Sequence, residues 1–211
     1  MKELFKNTPK AYISELPLAA FQGRIVVIDS LLEAKKAIAY LNTCPLLGID
    51  TETRPAFKKG VFHKVALLQL STLECCFLFR LNRIKMPTEL IALLENEKVQ
   101  KIGLSLKDDL CMLRNRAAFN PAGFVELQDF VKVFGVEDMS LQKLYANIFG
   151  QRISKSARLT NWEADVLTEA QKRYAALDAY VCLQMYNELV ALYESKDYTL
   201  KADEELSEQK P

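Results

Sequence analysis

Histidine is nearly absent: His63 is the only one in 211 residues. That removes any metal site built on several imidazoles and leaves a Ser-His-Asp arrangement little to work with. Metal chemistry in this chain must therefore rest on carboxylates. Glycine and proline are sparse, seven of each, which excludes collagen-like and linker-dominated architectures. No apolar run approaches the ~18–20 residues that cross a bilayer. The opening stretch, MKELFKNTPKAYISEL, has no hydrophobic segment of the kind a secretion signal carries. Neither sign of charge dominates: 28 Lys and Arg face 27 Asp and Glu, a net charge of +1. This excludes a histone-like polycation but leaves room for a local basic rim. The five cysteines (Cys44, Cys75, Cys76, Cys111 and Cys182) form no Cys-x-x-Cys pair. They read as buried free thiols of a reducing compartment, so the expected location is cytoplasmic.

What is present is the profile of a soluble globular chain, 50% hydrophobic and 26% charged, long enough for one domain with a full core. Hydrophobic periodicity predicts strands over 24–29, 46–52, 64–71, 75–81, 99–104 and 124–127, the third and fourth forming a hairpin. Helices are expected after Ser30, with Leu31, Leu32, Ala34, Ile38 and Leu41 on the apolar side, and over 87–94, 106–116, 128–134, 140–148 and 168–193. Ser30 and Ser140 are suitable N-caps, and Thr168 with Gln171 fits a capping box. Strands followed by mixed strands and helices give a three-layer α/β domain. The domain is assigned to 1–195. The polar, charge-rich stretch 196–211 reads as a disordered tail.

Acidic residues stand in suspicious places. Asp50 and Glu52 end an apolar strand, two apart, so they share a face roughly 6–7 Å from each other. Side by side they repel and lose hydration, and a hard divalent cation relieves both. Read alone, the pair has a plainer explanation: Asp50 ends the strand and Glu52 is solvated. In the last helix the apolar stripe Leu177, Val181, Met185, Leu189 and Leu192 runs beside Tyr174 and Asp178, which are four apart on one face. A carboxylate there is costly unless paired or metal-bound. In the helix after Leu104, Asp109 lies about 60° from Leu106 and Asp108 roughly 160° away, so Asp109 is the acid expected to face a site.

Three blocks carry these acids: LLGIDTETRPAFKKGVFHKVALLQLS, KIGLSLKDDLCML and ARLTNWEADVLTEAQKRYAALDAY. Together they resemble the DEDDy subgroup of 3′–5′ exonucleases, the group that includes Werner-type exonuclease domains and ribonuclease D. One departure is Thr53-Arg54, where many relatives carry Trp after Asp-x-Glu. The resemblance implies a ribonuclease-H-like fold, with a mixed sheet of five strands or slightly more and helices on both sides. It implies a metal-dependent 3′–5′ exonuclease, with DNA favoured over RNA, acting on single-stranded or recessed 3′ ends through two divalent cations, Mg²⁺ or Mn²⁺. Asp50, Glu52 and Asp178 would hold one ion, Asp50 would also reach the second, Asp109 would support the site, and Tyr174 would orient the attacking water.

Lys58 and Lys59 near the first block, and Arg152, Lys155 and Arg158 before the last helix, are candidate phosphate contacts. Phe57 is a candidate stacking surface, whereas Phe62 and Leu70 read more readily as core. Trp162 reads as packing its loop against the core. A competing class is a nucleic-acid-binding module of the same fold that has lost catalysis. The complete set of acids with Tyr174 argues against it.

Overall fold

Runs of Leu, Ile, Val, Phe and Cys make strands that are buried on both faces, as a sheet covered by helices requires. In the computed structural model, which describes residues 1–202, the elements in chain order are β1 (Lys2–Phe5), α1 (Lys10–Glu15), β2 (Arg24–Ile28), α2 (Leu31–Leu41), β3 (Leu46–Glu52), β4 (Leu67–Ser71), β5 (Cys75–Arg80), α3 (Leu81–Ile84), α4 (Thr88–Leu94), β6 (Gln100–Gly103), α5 (Leu106–Arg114), β7 (Phe124–Glu126), α6 (Leu127–Phe130), α7 (Leu141–Phe149), α8 (Glu169–Ser195) and β8 (Tyr198–Lys201). Six strands form one mixed sheet in the order β2-β5-β4-β3-β6-β7. Within it β4 alone runs antiparallel to its neighbours.

The sheet divides the core into two layers. One face packs under α8, α6 and α7 through Leu67, Leu78, Ile102, Val181 and Met185. The other packs under α2, α4 and α5 through Leu47, Ile49, Leu70, Phe79 and Leu113. The expected caps form: Ser30 and Ser140 accept from the backbone of Glu33 and Lys143, and the Thr168–Gln171 capping box closes the start of α8.

Several local expectations are revised. Leu31 and Leu32 are 63% and 67% exposed, and the buried stripe of α2 is Ala34, Ala37, Ile38 and Leu41. The two first-turn leucines lie outside that stripe and face solvent. All five cysteines are free. Only Cys76 and Cys182 are buried, and Cys111 on α5 is exposed. The stretch 196–211 does not begin as a tail. β8 pairs in parallel with β1, from Lys2 opposite Tyr198 to Phe5 opposite Lys201. Asn147 of α7 completes the far edge of β1, donating to the Phe5 carbonyl and accepting from its N–H, each at 2.8 Å. Tyr198 stacks on Phe134 at a ring distance of 5.1 Å. A few apolar side chains suffice to seat a short strand once a partner edge exists, and a composition reading does not see that edge. The rest of that stretch, 203–211, lies outside the described residues.

One close approach sets the position of the helix over the sheet. A Cβ on Gly48 would lie 1.9 Å from the Ala179 carbonyl oxygen. Glycine at that point lets α8 press directly on β3, the strand that carries Asp50 and Glu52. Replacing Gly48 with Ala should destabilise the fold by about 1–3 kcal/mol by prising α8 from β3. Urea unfolding tests this, and a midpoint equal to wild type would show that the contact does not constrain the two elements.

Candidate active site

β3 and α8 each deliver acids to one crevice. Asp50 and Glu52 alternate with Thr51, so both point under α8 while Thr51 points to the opposite face. From α8, Asp178 faces back. Each of the three offers a carboxylate oxygen within 4.8 Å of the others. Glu52 and Asp178 are only 8% and 4% exposed, and Asp50 is half-buried. One oxygen of Asp178 is buried with no hydrogen-bond partner.

Burial dominates the electrostatics. It raises the Asp50 carboxyl well above its ordinary range, and the charges of Asp109, Asp178 and Glu52 push it further. Glu52 is pushed up to about 9 by burial and then by Asp178 and Asp109. Asp178 is pushed up to about 7 by burial, against a hydrogen bond from Tyr174 and the attraction of Arg158. Perturbed carboxyls gathered in a crevice make it a functional-site candidate. The Tyr174 hydroxyl, one turn before Asp178, is pushed upward by its burial and by the same carboxylates.

The sequence-predicted residues separate into those that meet and those that do not. On α5, Asp108 is exposed and Asp109 half-buried, as the helical angles require. Asp109 approaches the acids from the other face of the sheet: the hydroxyl of Thr51 donates to it. Burial raises its pKa to about 6. It therefore stands behind Asp50 and is not among the three converging oxygens. Arg158 and Lys155 line a cavity of about 400 Å³ together with Asp50, Glu52, Tyr174 and Asp178. Arg152 is engaged elsewhere, its Nε donating to the Leu16 carbonyl at 2.8 Å. It braces the N-terminal segment and does not line the cavity. Lys58 lines a second groove of about 390 Å³ with Phe57, Arg54, Leu159 and Asn161, while Lys59 is exposed in the same loop.

Phe62 corrects the core expectation: it is 91% exposed, because the 54–63 loop holds it away from the sheet, while Leu70 is fully buried. Phe57 is 83% exposed. Trp162 is fully buried. Its indole N–H donates to the Arg158 carbonyl at 3.4 Å, and its ring lies 6.1 Å from that of Tyr174. It thus backs both the tyrosine and the loop that brings Arg158 in. Arg54 pairs with Glu163 at 3.4 Å. His63 approaches the same carboxylate at 3.7 Å.

Two supporting residues escaped the sequence reading. Thr51 fixes the Asp109 carboxylate. Glu126 accepts from the backbone N–H groups of Ser105 and Leu106 at 3.0 and 2.7 Å, capping the start of α5. Ser105 has φ of 61° and makes no side-chain cap, so the cap comes from a different strand. The placement of Thr51 between the two acids was the only local signal available for either.

A family model described as 3′–5′ exonuclease matches residues 25–194. The mouse bifunctional 3′–5′ exonuclease/ATP-dependent helicase WRN is 34% identical over 184 residues, covering 82% of this chain and 13% of that protein. The exonuclease 3′–5′ domain-containing protein 2 of Drosophila melanogaster is 32% identical over 178 residues, covering 80% of this chain and 30% of its own length. This chain thus spans less than a third of either curated relative. Among solved structures, the Nibbler EXO domain of Aedes aegypti superposes with a TM-score of 0.76 at 19% identity, over 85% of this chain and 94% of that one, a likeness of fold. With the matched span running from β2 through the acid-bearing face of α8, the chain belongs to the 3′–5′ exonuclease family.

Proposed function

We propose that this chain is a metal-dependent 3′–5′ exonuclease that hydrolyses phosphodiester bonds at single-stranded or recessed 3′ ends, DNA being the favoured strand. The observation that carries the reading is the convergence of Asp50, Glu52 and Asp178 from two separate elements, with an Asp178 oxygen left unpartnered. Hard carboxylate oxygens at this spacing suit a divalent cation. In this proposal Asp50, Glu52 and Asp178 hold one Mg²⁺ or Mn²⁺, Asp50 reaches a second, and Asp109 supports Asp50 from behind. Bound there, such ions supply positive charge to the phosphoryl transition state and lower the pKa of the attacking water.

The chain's own side chains do the positioning. Burial and neighbouring carboxylates keep the Tyr174 phenol protonated, so it acts by hydrogen bonding and orients the water instead of removing its proton. In this reading Arg158 and Lys155 of the acid cavity, and Lys58 of the second groove, pair with phosphates of the bound strand, which their cationic side chains support. Phe57 and Leu159 along the same groove offer apolar surface for a base.

With Mg²⁺ or Mn²⁺ the purified protein should shorten 5′-labelled oligonucleotides stepwise, and EDTA should stop it. DNA and RNA, single-stranded and recessed, belong in the same assay. Asp50→Ala and Asp178→Ala should abolish activity. Tyr174→Phe should lower kcat on the order of 10²-fold while Mn²⁺ affinity survives. Intact substrate with wild-type protein that still binds the strand would replace this reading with a silent binding module.

The acids also predict a pH dependence for the metal-free protein. Folding raises Glu52 from 4.5 to about 9, Asp178 from 3.8 to about 7 and Asp109 from 3.8 to about 6. The folded state therefore keeps protons that the unfolded chain has released. Their contribution to stability is full below the unfolded values and is lost as pH climbs through the folded ones. Lys101, buried on β6 and lowered to about 8, acts in the opposite direction, so the difference between wild type and Glu52→Gln isolates the site. In thermal melts after EDTA treatment, wild type should lose Tm relative to Glu52→Gln between pH 5 and 9, and excess Mg²⁺ should reduce that loss. A gain with rising pH would contradict the assignment.

A further inference from the structure

Gln69 stands on β4 directly across the ladder from Asp50. It is fully buried, and neither its Nε2 nor its Oε1 has a hydrogen-bond partner. Buried carboxamides are normally paired, so an orphan beside a candidate metal ligand calls for a cause. Strand alternation places Asp50, Gln69 and Leu78 in one row across β3, β4 and β5, on the face under α8. Leu78 offers nothing polar. Two residues along β4 on either side are Leu67, also apolar, and Ser71, whose hydroxyl is committed to the carbonyls of Thr72 and Cys75. On β3 the diagonal neighbours are Gly48, with no side chain, and Glu52. On β5 the diagonal neighbours are Cys76 and Arg80, and the Arg80 guanidinium, a donor only, is turned to the Ala164 and Asp165 carbonyls. The carboxylates that this patch of sheet offers the amide N–H are therefore the two acids, and the nearer along the ladder is Asp50. Directly opposed residues on one face have Cβ atoms about 4.5–5.5 Å apart, within reach of a glutamine amide.

We propose that Gln69 is a positioning residue for the metal site: its Nε2–H donates to the Asp50 carboxylate when that carboxylate turns to hold a divalent cation, fixing the ligand's rotamer. The inference rests on the metal assignment above. It explains the orphan directly, because the amide is unpaired in the metal-free fold and gains its partner on loading. Removing the amide should thus leave the metal-free fold as stable or more stable while weakening metal binding. A glutamine with a merely structural role would move stability alone.

The test uses the full chain stripped with EDTA. Gln69→Met keeps the length of the side chain and removes its polar end. Calorimetric titration with Mn²⁺ should show about tenfold weaker binding, with the metal-free Tm equal to or above wild type, and activity should recover at higher Mn²⁺. Wild-type affinity in Gln69→Met would overturn the proposal. If that variant does not fold, the side-chain amide resonance of Gln69 in ¹⁵N-labelled wild type is followed during Mg²⁺ titration. It should shift in step with binding, and an unmoved resonance would overturn the role. Wild type that takes up no Mn²⁺ would sink the metal assignment itself, and Gln69's role with it, whereas wild-type uptake unaltered by Gln69→Met removes Gln69 alone.

Discussion

Holding carboxylates together out of water is the constraint around which this domain is organised. Once ionised, as binding a cation requires, Asp50, Glu52 and Asp178 repel one another with little solvent to screen them, so a compliant scaffold would let them drift apart. They do not drift because β3 lies inside a six-stranded sheet and α8 is pressed against it at Gly48 and Ala179. The cost of holding these carboxyls out of water thus falls on the rigid core, not on a loop: the metal-free fold meets it by keeping protons, and a cation of suitable size can take their place.

The shell around the acids is built from long-range polar contacts. Thr51 and Glu126 settle the second acidic element: one holds the Asp109 carboxylate, and the other caps the helix that bears it. On the opposite rim, Gln171 inside α8 reaches out to Thr160 and to the Asn161 carbonyl, while Trp162 holds the Arg158 carbonyl. The cation facing Glu52 and Asp178 is therefore carried on a loop whose end is anchored to the same helix as Asp178.

The N-terminal segment contributes to that rim as well. Residues 1–24 precede the span matched by the family model. Ala19 donates to the Arg152 carbonyl and Arg152 to the Pro17 carbonyl, each at 2.9 Å, forming a short parallel bridge. This bridge grips the loop just ahead of Lys155 and Arg158. β1 and β8 in turn lock the first residues to the segment after α8. The loop that meets incoming phosphates in our proposal is thereby braced by the segment before β2.

Much of this was legible locally. Two-residue alternation put Asp50 and Glu52 on one face, helical angles chose Asp109 over Asp108, and the four-residue interval stacked Tyr174 on Asp178. These follow from backbone periods that each element carries within itself. Other features depend on which distant groups become neighbours. The strand at Tyr198–Lys201 needed the edge of β1, and the outward turn of Phe62 needed the path of its loop. Arg152 was diverted to Leu16, Asp109 was met by a threonine from the far face, and Gln69 was left facing Asp50 without a partner. A side chain's direction along its own element is written in the residue order. What waits for it there is decided when separate elements pack, because register and loop course are settled by contacts between residues far apart in the chain.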